Sequence, residues 1–245
     1  MNDNLGIGVV TSINLKERYT ACKNVWLKDF DNTYLFGGNG NDENLISIHS
    51  AGEDYNSHFL KQQFGLKHMY EDNPNYDWYV MTSCDAMLFK NKTMMELSKY
   101  DPTKDLLLCQ PGGYWTDIPH IYESGFNNST FQAIAGGGGF FVSNSLMKKC
   151  YNIIEEFNEL WRNISGGCYP YSDVAFGYMI KKYFNVDLTH ELYILGQHPR
   201  HYSETINDQW YTHYPVAVSK LLETPMSLHY IKPNEMEEIY KKYNT

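Results

Sequence analysis

The chain has little positive charge: 20 Lys and Arg stand against 29 Asp and Glu, for a formal net charge of −9. That balance excludes a sequence-independent nucleic-acid binder, which needs a basic footprint. No apolar stretch approaches the ~18 residues of a membrane span. The start, Met1-Asn2-Asp3-Asn4, has neither a basic segment nor an apolar one, so no signal peptide is expected. No C-x-x-C pair occurs, and the five cysteines (Cys22, Cys84, Cys109, Cys150 and Cys168) are odd in number. This argues against a disulfide framework and a structural zinc site, and for free buried thiols in a reducing compartment. The expectation is a cytoplasmic protein, or a soluble fragment of an anchored one. Repeats, linkers and low-complexity blocks are also missing. Sequons at Asn91, Asn127, Asn128 and Asn163 carry little weight without secretion.

What is present reads as one globular domain of 245 residues, 42% hydrophobic and 20% charged. The 21 Tyr, 12 Phe and 5 Trp suit a carbohydrate site, although core filling is the commoner use of any one ring. Strands are predicted at Leu5–Thr11, Thr33–Phe36, Leu45–His49 and Trp78–Thr82, with helices near Lys16–Lys28 and Tyr55–Met69 between them. This alternation predicts an α/β fold, with a mainly parallel twisted central sheet flanked by helices. Ligands of such sheets bind beyond the carboxyl ends of the strands. Thr11-Ser12, Gly37-Gly38 and Ser83-Cys84-Asp85 all fall there. Further on, the pattern predicts strands at Leu106–Gln110, Phe131–Ser143 and Met226–Tyr230. It predicts helices from Lys92 to Lys99, Leu146 to Trp161 and Val174 to Tyr183, with residues 111–128 as a long irregular loop.

Four places could carry chemistry. Asp85 follows an apolar strand, where a carboxylate needs a partner; a hard divalent cation is one, a plain turn is another. Gly136-Gly137-Gly138-Gly139 precedes the apolar Phe140-Phe141-Val142. Four glycines weaken a strand, so they mark close backbone approach, a bulge or a hinge. No Gly-Lys-Ser/Thr follows, which excludes a P-loop. Asp173 sits at a helix start, where it serves as a first-turn carboxylate or as a general base. His229 lies in the late strand, as a structural residue or a metal ligand. His198 and Arg200 form a second polar cluster, with Arg200 a candidate phosphate partner.

Taken in order, these segments resemble the fringe-like β-1,3-glycosyltransferase family. Arg18 and Trp26 match its first-helix Arg and Trp. Trp78 through Ser83-Cys84-Asp85 matches its Trp-led acidic motif loosely, with Ser and Cys in place of two acids. Gly136–Ser143 matches its glycine block. Ser172-Asp173 through Gly177 matches a D-D-x-x-x-G segment, and Leu228-His229 its C-terminal ligand segment.

The resemblance implies a GT-A fold, with residues 1–100 as a nucleotide-binding half and 101–245 as an acceptor and catalytic half. It implies an inverting transferase that uses a nucleotide sugar, mostly a UDP-sugar, with Mn²⁺ or Mg²⁺ and a glycan, protein or glycoside acceptor. Asp173 would be the base; Asp85 and His229 would hold the metal. Thr11, Ser12, Arg18, Gly37, Gly38, Ser83, Cys84, Gly137 and Gly138 would contact the donor, and Tyr114 and Trp115 the acceptor. The missing acids also admit a rival: a non-catalytic nucleotide- or sugar-binding relic of the same fold.

Overall fold

The structure, a computed structural model, describes residues 4–115, 131–164, 171–200 and 221–244. Its centre is a strand built for burial on both faces, β1 (Leu5–Val10). Leu5, Ile7 and Val9 point into one apolar layer, whereas Val10 joins the other. Gly6 and Gly8 face that second layer too. A Cβ at Gly6 would meet the Tyr76 ring at 2.7 Å, and one at Gly8 would meet Met81 and Phe36 at 2.9 Å. β1 is therefore apolar on one face and thin on the other, to admit large neighbours.

β1 pairs in parallel with β2 (Thr33–Gly37) and with β4 (Trp78–Ser83). β2 pairs with the short β3 (Ile46–Ser47). On the far side β4 pairs antiparallel with β9 (Phe140–Ser143), which pairs antiparallel with β6 (Leu107–Cys109). β10 (Thr189–His190) closes that edge, parallel to β6. The seven strands run in the order β10-β6-β9-β4-β1-β2-β3. The sheet is mostly parallel, as expected, and β9 makes it mixed.

Helices cover both faces. α2 (His58–Asp72), α4 (Asn144–Tyr151), α5 (Ile154–Ile164) and α6 (Ser172–Phe184) pack on the layer that holds Tyr79 and Met81. α1 (Lys16–Val25), α3 (Lys90–Leu97) and α7 (Pro233–Tyr243) cover the layer that holds Trp78 and Val80. No helix among the described residues is long and apolar enough to cross a membrane. Cys22, Cys84, Cys109 and Cys150 are free and buried.

Three expectations from the sequence are corrected. Residues 111–115 are not irregular: they form β7 (Pro111–Trp115), antiparallel to β8 (Phe131–Ile134). The strand expected across 131–143 is two strands, because Gly136–Gly138 make a 3-10 turn and Gly139 takes φ 90°. Only glycine enters that region without cost. The helix expected across 146–161 is likewise two helices, broken between Tyr151 and Ile154.

Candidate active site

Beyond the carboxyl ends of β1 and β4 the chain opens a cavity of about 480 Å³. Register explains its first wall. Val10 lies opposite Ser83, so Thr11-Ser12 and Cys84-Asp85 leave the sheet side by side. Its second wall comes from a two-residue ladder. β11 (Ser227–Leu228) pairs antiparallel with β5 (Met87–Leu88), and the Ile231 amide donates to the Asp85 carbonyl at 2.9 Å. That pairing carries His229 to Asp85 across 144 residues of sequence.

Asp85 is the electrostatic centre. Its Oδ1 accepts from the Ser83 hydroxyl at 2.6 Å and faces His229 Nε2 at 3.3 Å; its Oδ2 accepts from Arg18 at 3.3 Å. Burial pushes its carboxyl up, but the imidazole, the Ser83 hydroxyl and the Arg18 guanidinium outweigh burial and bring it down to about 2. His229 Nδ1 lies 3.1 Å from the Gly196 carbonyl. A carbonyl only accepts, so Nδ1 carries a proton, and Nε2 is the ring nitrogen turned to the carboxylate. Two electron-rich atoms at 3.3 Å repel unless a proton or a cation lies between them. The carbonyl-oriented imidazole beside a carboxylate is the outer-shell arrangement of a metal-binding histidine. No cluster of three or more His, Cys, Asp or Glu suited to a metal occurs among the described residues. Asp85 and His229 therefore fit a cation that draws its other ligands from water and phosphate.

The glycine block joins this pair to Asp173. The Gly136 amide donates to Asp173 Oδ2 at 3.3 Å, and a Cβ at Gly136 would lie 2.7 Å from the Asp173 Cβ. A Cβ at Gly137 would overlap Nδ1 and Cε1 of His229. Two consecutive residues, with Cα atoms ~3.8 Å apart, thus hold the acid and the imidazole in place. Asp173 Oδ1 accepts from the Val174 amide at 2.9 Å, in the first turn of α6.

Not every expected donor contact faces the cavity. Thr11, Ser12, Arg18, Ser83, Cys84 and Gly137 line it, as do Asp85, Asp173 and His229. Gly37, Gly38 and Gly138 do not. Gly38 packs against the backbone of Gly52, where a side chain has no room, Gly37 against Leu45, and Gly138 tightly against Ile194 and Leu195. Trp26 is fully buried beside Phe30 in the core. His198 Nε2 lies 3.5 Å from Glu235, and neither His198 nor Arg200 lines the cavity. Tyr114 and Trp115 lie on β7, but their side chains fall outside the described residues.

Sequence reasoning missed the wall supplied by α2 and the loop before it. Lys61, only 2% exposed, donates to the Thr11 carbonyl at 3.0 Å and sits 3.7 Å from Glu53. Burial lowers its pKa, although Glu53 and Asp54 favour its charge. The buried Gln62 Oε1, Thr11 Oγ1 and Thr82 Oγ1 have no hydrogen-bond partner, and all three residues line the cavity. Such groups cost ~1–3 kcal/mol each unless a ligand or water satisfies them. The signal was legible: Gln62 and Gln63 share the spacing of the apolar Phe59, Leu66 and Met69, so polar groups occupy a core-facing stripe.

His58, at the start of α2, makes a 2.9 Å hydrogen bond through Nδ1 with the Ser172 hydroxyl. Burial first, and the Lys61 charge next, bring its pKa from 6.5 to about 4. The folded state therefore holds His58 neutral, while the unfolded chain takes up a proton below pH 6.5. Stability from this group is complete above pH 6.5 and declines as pH falls toward 4, by up to ~3 kcal/mol. His58→Gln is expected to flatten that part of the melting-temperature profile. A profile that stays parallel to wild type from pH 6.5 to 4 would contradict this.

Comparison with known proteins agrees with the geometry. A glycosyltransferase involved in glycosylation of the major capsid of PBCV-1 is 13% identical, over 96% of this chain and 98% of that one, with a TM-score of 0.51. An active-site mutant of LgtC, a galactosyltransferase, is 12% identical, over 98% and 96%, with a TM-score of 0.58. The glycosyltransferase GlyE of Streptococcus pneumoniae TIGR4 is 12% identical, over 98% of this chain but 59% of that one, with a TM-score of 0.53. At these identities the likeness establishes the shared GT-A fold. No curated protein matches the chain. The Fringe-like family model, however, matches residues 3–236, and the chain belongs to the Fringe-like family of glycosyltransferases.

Proposed function

We propose that the protein is a metal-assisted, inverting glycosyltransferase that uses a nucleotide sugar, with UDP-sugars as first candidates. One observation carries this reading: Gly136 and Gly137 seat Asp173 and His229 side by side in the cavity that also holds Asp85. Asp173 takes the proton of the acceptor hydroxyl. The acceptor oxygen bonds to the anomeric carbon, and the bond from that carbon to the diphosphate breaks with its electron pair on the phosphate oxygen. Attack from the face opposite the leaving group inverts the configuration. Asp85 and His229 would hold Mn²⁺ or Mg²⁺; when bound, such a cation neutralises charge on the diphosphate. Arg18 adds a fixed positive charge beside Asp85. Gln62, Thr11 and Thr82 supply polar side chains to the cavity wall.

The test is nucleotide release from a panel of nucleotide sugars, with Mn²⁺, with Mg²⁺ and with chelator. Release is expected to fall at least ~10-fold in chelator, and likewise in Asp85→Asn with metal present. Equal release in chelator would refute the metal role. Thermal stabilisation by a nucleotide sugar with no release under any condition would favour the binding relic. The anomeric configuration of the product, read by NMR, decides inversion.

A further inference from the structure

Four large apolar or aromatic side chains are exposed among the described residues; two are tyrosines that line the cavity, and a third tyrosine is next to the lining residue Ser172 in sequence. Tyr55 is 84% exposed, Tyr171 54% and Tyr230 51%; the fourth is Met95. Tyr55 and Tyr230 line the cavity, while Tyr171 stands two residues before Asp173 and Tyr230 directly follows His229.

Two of these tyrosines are held in a conformation that bulky residues avoid. Tyr171 and Tyr230 both have φ 59°, in the left-handed region. Gly or Asn adopts it at least cost. The chain follows that rule at Asn185, the other described non-glycine residue with positive φ, which ends α6 far from the chemistry. At the two positions flanking the site it keeps a large ring instead. Both rings stay about half exposed, so burial alone is a weak reason for the choice. Strained residues of this kind gather where a side chain is needed for binding.

The third ring faces the same space. The pKa of the Tyr55 phenol is raised, first by desolvation and then by Asp173, Tyr230, Asp85 and Tyr171. Its ring also lies 6.2 Å from that of His58. Tyr230 in turn stacks on His229, with ring centres 3.8 Å apart.

We propose that Tyr55, Tyr171 and Tyr230 form the acceptor subsite, an aromatic rim that takes a neutral hexopyranoside at the mouth of the cavity. This rests on the transferase reading above. Tyrosine faces stack on the C–H faces of a pyranose, and their hydroxyls reach its oxygens. Glu53 and Asp54 in the adjoining wall, with a net charge of −9 overall, disfavour an anionic acceptor. The rim binds the sugar before any bond is made or broken, so binding alone tests it.

The probes are methyl hexopyranosides of gluco, galacto, manno and N-acetylgluco configuration, titrated against the full chain by saturation-transfer NMR. At least one is expected to bind, with its strongest signals on the C–H face of the ring. Tyr55→Ala and Tyr230→Gly are each expected to weaken that binding about tenfold. Tyr55→Phe keeps the ring and should stay within about threefold of wild type. Met95→Ala, remote from the cavity, should bind as wild type does. Glycine suits φ 59°, so relief of backbone strain offsets the lost stacking on His229 and Tyr230→Gly should melt close to the wild-type temperature, which separates lost binding from lost folding. Absence of binding by the whole panel, or equal binding by wild type, Tyr55→Ala and Tyr230→Gly, would overturn the proposal. Failure of the transferase reading would appear separately, in the nucleotide-release assay.

Discussion

Asp173→Asn is expected to lower glycosyl transfer by about 10²–10⁴-fold, the usual contribution of a general base. The substitution is nearly isosteric and removes basicity more than structure. Asp173 accepts from two amides, Val174 at 2.9 Å through Oδ1 and Gly136 at 3.3 Å through Oδ2. Asparagine keeps one accepting oxygen and turns an NH₂ toward the other amide. The cost to stability should be about 1 kcal/mol, or ~2–4 °C in a chain of this size. Thermal stabilisation by the donor should survive, since Asp85, His229, Arg18 and the α2 wall are untouched. The measurement is steady-state transfer and nucleotide release, beside melting curves with and without donor. Retention of a third or more of wild-type turnover would remove Asp173 from the role of base. Loss of donor binding together with turnover would instead place it among the donor contacts.

The parts of this molecule that were legible in the sequence are those written in local pattern. β1 and β4 are apolar runs long enough to read, and their ends place Thr11, Ser12 and Asp85 at one sheet edge. The glycine block was legible as an anomaly, because four glycines ahead of Phe140 need a reason. The reason itself was not legible. It lies in two side chains from distant segments, Asp173 and His229, that occupy the space a Cβ would fill. The meeting of Asp85 with His229 depends on β5 and β11, two residues each, too short for periodicity to reveal. His58 and Tyr55 escaped for a different reason: a histidine at a helix start and a tyrosine in a loop are ordinary until the fold sets them opposite Ser172 and Asp173. Gly37, Gly38 and Gly138 are the converse. Their sequence pattern suggested contact with a ligand, and their neighbours turn out to be backbone and aliphatic side chains of the protein itself.

Gly137→Ala should be severely damaging for one added methyl. Its Cβ would overlap Nδ1 and Cε1 of His229, so the ring has to leave its place. Leaving breaks the 3.1 Å hydrogen bond to the Gly196 carbonyl and withdraws Nε2 from Asp85. Overpacking costs ~1–3 kcal/mol and a buried carbonyl left unpaired a further ~1–3 kcal/mol. A total near 3–5 kcal/mol corresponds to a fall of roughly 6–20 °C in melting temperature. Activity should drop below detection, because the displaced imidazole no longer stands beside Asp85. A second substitution separates clash from chemistry. In Gly137→Ala/His229→Ala the ring is gone and the added methyl has room, so much of the stability should return while activity stays absent. The two changes are then strongly non-additive, with a coupling above ~1 kcal/mol, as expected for residues in contact. Gly138→Ala provides the scale: its Cβ would lie 3.1 Å from Ile194 Cγ2 and 3.2 Å from the Leu195 backbone, tight contacts without the overlap seen at Gly137. If Gly137→Ala and His229→Ala add without coupling, the glycine block does not seat the histidine, and the role of Gly136 in seating Asp173 loses its support as well.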